Sequence, residues 1–196
     1  FFSTNELASK AKKELDVESL VPLCNKCNLY KNTKTKKLGV SGEGRKKILV
    51  VGDFPSDNDD FACTQFSGPS GAFLKNLMMT QGGISLNRDC WRVNAIRCRP
   101  PQDVDYDNYG KFVKLCRASL EKLIHELQPE YVLMLGGYAV HGVLGTSFSG
   151  YNINRWRGVF IKDEYYKTTL YATFHPRMYV DENSNDRGMA KVIEWD

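Results

Sequence analysis

Short apolar runs that end in glycine or a polar turn alternate along this chain with longer amphipathic stretches. Lys47-Ile48-Leu49-Val50-Val51-Gly52 and Tyr131-Val132-Leu133-Met134-Leu135-Gly136-Gly137 are continuously apolar, as strands buried on both faces are. Trp91-Arg92-Val93-Asn94-Ala95-Ile96 reads as a further strand, and Gly158–Ile161 and Lys167–Thr173 as two more. Helical spacing is clearest over residues 109–127, where Phe112, Val113, Cys116, Leu120, Leu123, Ile124 and Leu127 fall on one side. Shorter helices are expected over Gly71–Met78 and from about Tyr138 to Leu144. Another is expected over residues 4–20, capped by Ser3 or Thr4, with Leu7, Ala8, Ala11, Leu15 and Leu20 as a loose stripe. Residues 28–46 and Asp53–Ser70 are rich in turn formers and read as loops.

Strands alternating with helices imply an α/β fold, a parallel sheet wrapped on both faces in three α/β/α layers. Ligands of such sheets bind beyond the carboxyl ends of the strands. Asp53, Asn94, Gly136, Gly137 and His175 all fall at such ends. With 196 residues and 42% hydrophobic content the chain suits one domain, 1–196, with an N-terminal helical arm over about 1–20.

Charge adds a direction to this picture. The net charge is only +4, but Lys26, Lys31, Lys34, Lys36, Lys37, Arg45, Lys46 and Lys47 crowd one stretch. Such a run is either a solvated face or a polyanion site. No run approaches the roughly 20 apolar residues that span a membrane. Phe1-Phe2-Ser3-Thr4-Asn5 lacks the features of a signal peptide, so an intracellular, reducing compartment is expected. The chain is expected to be monomeric or part of a longer one.

Four of the six cysteines form two distant pairs: Cys24 and Cys27 in C-x2-C, then Cys98 and Cys116. Four thiolates from separated segments can hold zinc or an iron–sulfur cluster, and their spacing does not choose between the two. Cys63 and Cys90 fall outside the pattern and are expected to be ordinary, half-buried residues. Asp53 follows its strand and glycine directly, which suits a carboxylate that orients water or stabilises positive charge. Its neighbours Asp57, Asp59 and Asp60 read as a solvated turn or a cation site. Phe66-Ser67-Gly68-Pro69-Ser70-Gly71 offers a planar wall beside a glycine-rich helix entry, where amides can meet phosphate. Asn94 is polar within an apolar strand, so it either joins a buried network or reads a base edge. Of the three histidines, His125 and His141 lie in helices and look structural, whereas His175-Pro176 closes the last strand.

At these residues the chain resembles the iron–sulfur, family 4, uracil-DNA glycosylases, from about Leu20 onward. Cys24, Cys27, Cys98 and Cys116 match that family's cluster ligands. Gly52-Asp53-Phe54-Pro55-Ser56, with Phe66-Ser67-Gly68-Pro69-Ser70-Gly71, is similar to its motif G-E-[AG]-P-G…P-F-V-G-x-A-G. Asn94–Pro101 resembles N-x-x-x-C-R-P-P, and Thr173-Phe174-His175-Pro176 resembles T-Y-H-P. The resemblance implies a four-stranded parallel sheet, a structural [4Fe–4S] cluster on segments 24–27 and 98–116, and hydrolytic excision of a flipped uracil or related base. Asp53 and His175 would be catalytic. Gly52, Phe54, Phe66, Ser67 and Asn94 would line the base site. Asp53 stands where the family has Glu, Phe54 where it has Ala or Gly, and Ser56 where it has Gly. These departures fit an altered base preference, or a DNA-binding module of the same fold without catalysis.

Overall fold

The structure is a computed structural model, and residues 25–35, 37–101, 109–145 and 153–180 are described. The expected helix 4–20, Cys24 and Lys36 lie outside the described residues. The central sheet has five strands: β1 (Ile48–Gly52), β2 (Cys90–Asn94), β3 (Tyr131–Leu135), β4 (Phe160–Asp163) and β5 (Thr168–Thr173). Their spatial order is β2-β1-β3-β5-β4. The first four positions pair in parallel, while β4 runs antiparallel to β5 at the edge. The expected four-stranded parallel sheet is therefore corrected to a mixed five-stranded one. The reason is chain length: Asp163 and Thr168 are too close for a parallel crossover, so the chain can only fold back as a hairpin.

Helices α1 (Asp57–Ala62), α2 (Pro69–Gly82), α3 (Tyr109–Leu127), α4 (Gly137–Leu144) and α5 (Arg177–Val180) complete the fold. Alternate strand residues point to opposite faces. Leu49, Val51, Val93, Val132, Met134 and Leu170 pack with Leu120, Leu123 and Ile124 of α3 and with Val140 and Val143 of α4. On the other face Val50, Cys90 and Leu135 meet Leu74 of α2. The sheet is thus the middle of three layers, and α3 spans the residues that its periodicity predicts.

Two expectations change. The segment Asp53–Ser70 contains α1, because Ser56 caps it through a reciprocal box with Asp59: the Asp59 amide donates to Ser56 Oγ (3.2 Å), and the Ser56 amide donates to Asp59 Oδ2 (2.9 Å). Cys63, which closes α1 at φ 58°, is exposed, and Cys90 is fully buried, so neither is half-buried. A third core cluster gathers residues that follow the strand ends. Leu29, Ile96, Cys98, Tyr109, Phe112 and Cys116 pack together, with Cys27, Tyr30 and Phe54 at its margin. It lies at the carboxyl edge of the sheet because α3 runs back from that edge. No helix among the described residues is long and apolar enough to cross a membrane.

Candidate active site

The carboxyl ends of β1, β2 and β5 bring Gly52, Asp53, Asn94 and His175 to one edge, as the alternating pattern requires. Pairing holds them there: Gly52 lies in register with Asn94, and the Ala95 and Ile96 amides donate to the carbonyls of Gly52 (2.8 Å) and Asp53 (3.0 Å). A side chain on Gly52 would fall on Asn94 Oδ1 and come 2.9 Å from Phe66 Cζ. Glycine here keeps open a niche with Asn94 on one side and the Phe66 ring on the other. Asn94 is buried, and its Nδ2 has no hydrogen-bond acceptor among the described residues. A buried amide donor without a partner costs about 1–3 kcal/mol, so an incoming acceptor is favoured at this point.

Phe66 is also buried, at φ 57°. Its carbonyl sits where a side chain on Gly71 would go, which explains the glycine in the first turn of α2. The His175 imidazole lies nearly parallel to the Phe66 ring, at 21° with centroids 6.4 Å apart. The Arg177 amide donates to His175 Nδ1 at 3.0 Å. Burial, and then the charge of Arg177, push the His175 pKa down to about 3. The ring is therefore neutral at physiological pH, and with Nδ1 accepting, its proton resides on Nε2.

Asp53 is buried, with Oδ1 accepting from the Ala139 amide at 3.0 Å and the carboxylate against Gly136. Gly136 has φ 96°, and a side chain there would collide with the carboxylate. Burial raises the Asp53 pKa from 3.8 to about 6, with the amides of Ala139 and Tyr138 and the charge of Arg177 opposing it. The group is ionised at neutral pH and titrates just below it.

Asp59 and Asp60 are buried parts of the framework, whereas Asp57 is exposed. Asp59 caps α1 with Oδ2 and accepts the Ser67 amide on Oδ1 at 2.7 Å. The Ser67 amide is therefore committed to Asp59, and its hydroxyl donates to the Thr64 carbonyl at 2.9 Å. Asp60 accepts from the amides of Lys34 (3.0 Å) and Thr35 (2.6 Å) and from Arg99 Nε (3.1 Å). Arg99 also bridges to Asp57 at 2.9 Å. The capping pattern S-x-x-D was a legible signal for Asp59, while nothing local announced Asp60.

A family profile described as the uracil DNA glycosylase superfamily matches residues 39–195. The chain belongs to the uracil DNA glycosylase superfamily. It is 28% identical over 158 residues to a type-4 uracil-DNA glycosylase of Saccharolobus solfataricus, covering 78% of this chain and 70% of the relative. It is 27% identical to those of Archaeoglobus fulgidus (82% and 80%) and Thermotoga maritima (87% and 84%).

Against this superfamily background the cysteines and Phe54 stand as follows. Cys27, Cys98 and Cys116 come from three segments into one packed cluster, and all three are thiols rather than disulfides. Among the described residues no group of three His, Cys, Asp or Glu is closed enough to hold a metal ion. Cys24, the fourth of the pattern, lies outside the described residues. As a donor set, soft thiols in an apolar shell fit an iron–sulfur cluster or zinc. Phe54 turns from the niche into this cluster, meeting Tyr109 edge-on (5.0 Å) and Tyr138 (6.1 Å), and the Arg177 guanidinium covers its ring at 4.5 Å. No spacing or composition marks Arg177 in the sequence.

Proposed function

We propose that this superfamily member is a monofunctional DNA glycosylase that hydrolyses the bond between sugar and base for uracil, or a related base, flipped out of DNA. The observation that carries the reading is the niche over Gly52, where an unsatisfied Asn94 amide, the Phe66 ring and a neutral His175 meet a buried carboxylate. Flipping costs a few kcal/mol and delivers a planar base to such a niche. Phe66 stacks on the base, and Asn94 pairs with its Watson–Crick edge. As the C1′–N bond breaks, the bonding pair leaves on the base, and His175 Nε2–H donates to the carbonyl oxygen that gathers the charge. Asp53 faces the positive charge left on the sugar and orients the water whose oxygen joins C1′. That water's proton passes to solvent or to the released base.

Cys27, Cys98 and Cys116, with Cys24, are the donors proposed for a [4Fe–4S] cluster. Bound there, it would cross-link the Cys24–Cys27 segment to the Cys98 loop and to α3 at Cys116. DNA is the macromolecular partner, and the similarity to type-4 uracil-DNA glycosylases supports uracil as the base.

The direct test is a labelled oligonucleotide carrying uracil, incubated with the protein and then treated with alkali. Strand breaks at uracil are expected. No base release from uracil or from a panel of modified bases, with DNA still bound, would leave the non-catalytic binding module instead. Asp53→Asn and His175→Ala should each slow release by orders of magnitude. Brown protein with about four irons per chain supports the cluster, whereas a colourless zinc protein refutes it.

A further inference from the structure

We propose that Arg177 grips a backbone phosphate beside the flipped nucleotide, and that Phe54 is the platform that aims it. This contact rests on the glycosylase reading and adds to it a residue outside the base niche. Arg177 opens α5, two residues past His175, and its amide is fixed by His175 Nδ1. The guanidinium lies 4.5 Å above the Phe54 ring, which Tyr109 and Tyr138 brace within the cysteine-bearing cluster. A guanidinium stacks with its flat face, and its N–H donors radiate in the plane, so stacking leaves them directed outward.

Arg177 is exposed, and none of the ion pairs among the described residues involves it. Its charge reaches both Asp53 and His175. It therefore sits at the rim, within a nucleotide's dimensions of the reacting bond. A planar fork held by a rigid ring suits the paired oxygens of a phosphate and loses little further freedom on binding. The departing base is a second anion in reach, but it is met inside the niche by His175 and Asn94. Following it there would take Arg177 off its ring and out of water. This gives Phe54 a purpose where the resembling motif has Ala or Gly: it supports the arginine and does not line the base site.

The test measures binding of uracil-free and uracil-containing oligonucleotides by fluorescence anisotropy across a potassium chloride series, alongside steady-state excision. Arg177→Gln is expected to weaken binding about tenfold and to flatten the log–log salt slope by about 0.7–0.9, the increment for one phosphate contact. In excision the loss should fall more on the half-saturating DNA concentration than on the saturating rate. Arg177→Lys should keep the slope and lose part of the affinity, since an ammonium is not a planar fork. Phe54→Leu should give part of the same loss, and Arg177→Gln should then add little to it. An unchanged slope with a reduced saturating rate would assign the cation to the leaving base and overturn the proposal. Additive losses would remove Phe54 as the platform. Because Arg177 is exposed, its variants decide the matter even where a Phe54 variant fails to fold. A flattened slope in Arg177→Gln, with a wild-type protein that binds DNA but releases no uracil, would sink the glycosylase reading and leave the phosphate contact standing.

Discussion

Asp53 and His175 are perturbed in opposite directions, and the pair makes stability at acid pH informative. Asp53 titrates near 6 when folded and near 3.8 when unfolded, so between these values the folded state carries the extra proton. His175 titrates near 3 when folded and near 6.5 when unfolded, so over much the same window the unfolded state carries it. The Asp53 contribution therefore weakens the fold as pH rises from about 4 to 6, and the His175 contribution strengthens it. Together they nearly cancel. Asp53→Asn removes one half, so its stability should fall on acidification from pH 6 to 4.5 by about 1.4 kcal/mol per unit more than wild type's does. At neutral pH the same variant should be more stable by up to about 3 kcal/mol, since it no longer buries a charge. Urea unfolding of both proteins across that range checks both signs. Parallel pH profiles would show that the two groups do not titrate as described. Excision by the wild type should decline below about pH 6 as Asp53 takes up its proton, with no further limb from His175 down to pH 5. Gly52→Ala tests the niche separately. Its backbone is not in the left-handed region, so the added methyl acts through its contacts with Asn94 and Phe66 and not through backbone strain. Overpacking should cost about 1–3 kcal/mol, while excision should fall about a hundredfold because the base seat is displaced. Intact excision in a folded Gly52→Ala protein would move the base elsewhere.

At the scale of elements, what the sequence disclosed depended on whether the signal was periodic or pairwise. The apolar stripe of α3 and the glycine-terminated runs of β1 and β3 are local patterns, so these elements were legible, and with them the edge where Asp53, Asn94 and His175 meet. Helix α1 has no apolar stripe: Asp57-Asn58-Asp59-Asp60-Phe61-Ala62 is held by its cap, and the same composition reads equally as a turn. Strand direction is likewise a property of pairs, and only the short link from Asp163 to Thr168 hinted that β4 turns back. Asp60 was illegible for the same reason, since its partners are 25 to 39 residues away. Burial alone would raise its pKa, but the Thr35 and Lys34 amides and Arg99 outweigh it and hold the carboxyl below its usual range. Its contribution is thus present above the ordinary carboxylate pKa and lost as pH falls through the folded value. Asp60→Ala should cost about 2 kcal/mol and speed hydrogen exchange at Lys34 and Thr35, because it removes charge-assisted bonds from a buried acceptor. Asp57→Ala breaks an ion pair whose carboxylate is 64% exposed and should cost under about 1 kcal/mol. Equal losses in the two variants would mean that Arg99, and not the paired amides, ties this segment down.

For the whole molecule, the fold divides the basic run that the sequence presents as one block. Lys47 immediately precedes β1, so Arg45, Lys46 and Lys47 lie at the amino edge of the sheet, away from the site. Two of them face carboxylates, Arg45 with Glu43 and Lys47 with Glu130 at 3.1 Å. Lys26 and Lys31 flank Cys27 and Leu29, whose cluster lies at the carboxyl edge beside Phe54 and the niche. Lys26, with Lys111 and Lys114, also rims an open groove of about 580 Å³ floored by Phe112 and Leu115. A strand that delivers a base to the niche must pass the carboxyl edge and has no reason to reach the other. Replacing Lys26 and Lys31 together with Gln should therefore weaken DNA binding and flatten its salt slope by about 1.5, which is two contacts' worth of released counterions. Replacing Lys46 and Lys47 in the same way should leave the slope unchanged. The two double variants carry the same net charge, so a difference between them reports where the charge sits, not how much there is. Equal flattening would mean that long-range attraction by net charge governs binding, and the polarity assigned to this surface would be wrong.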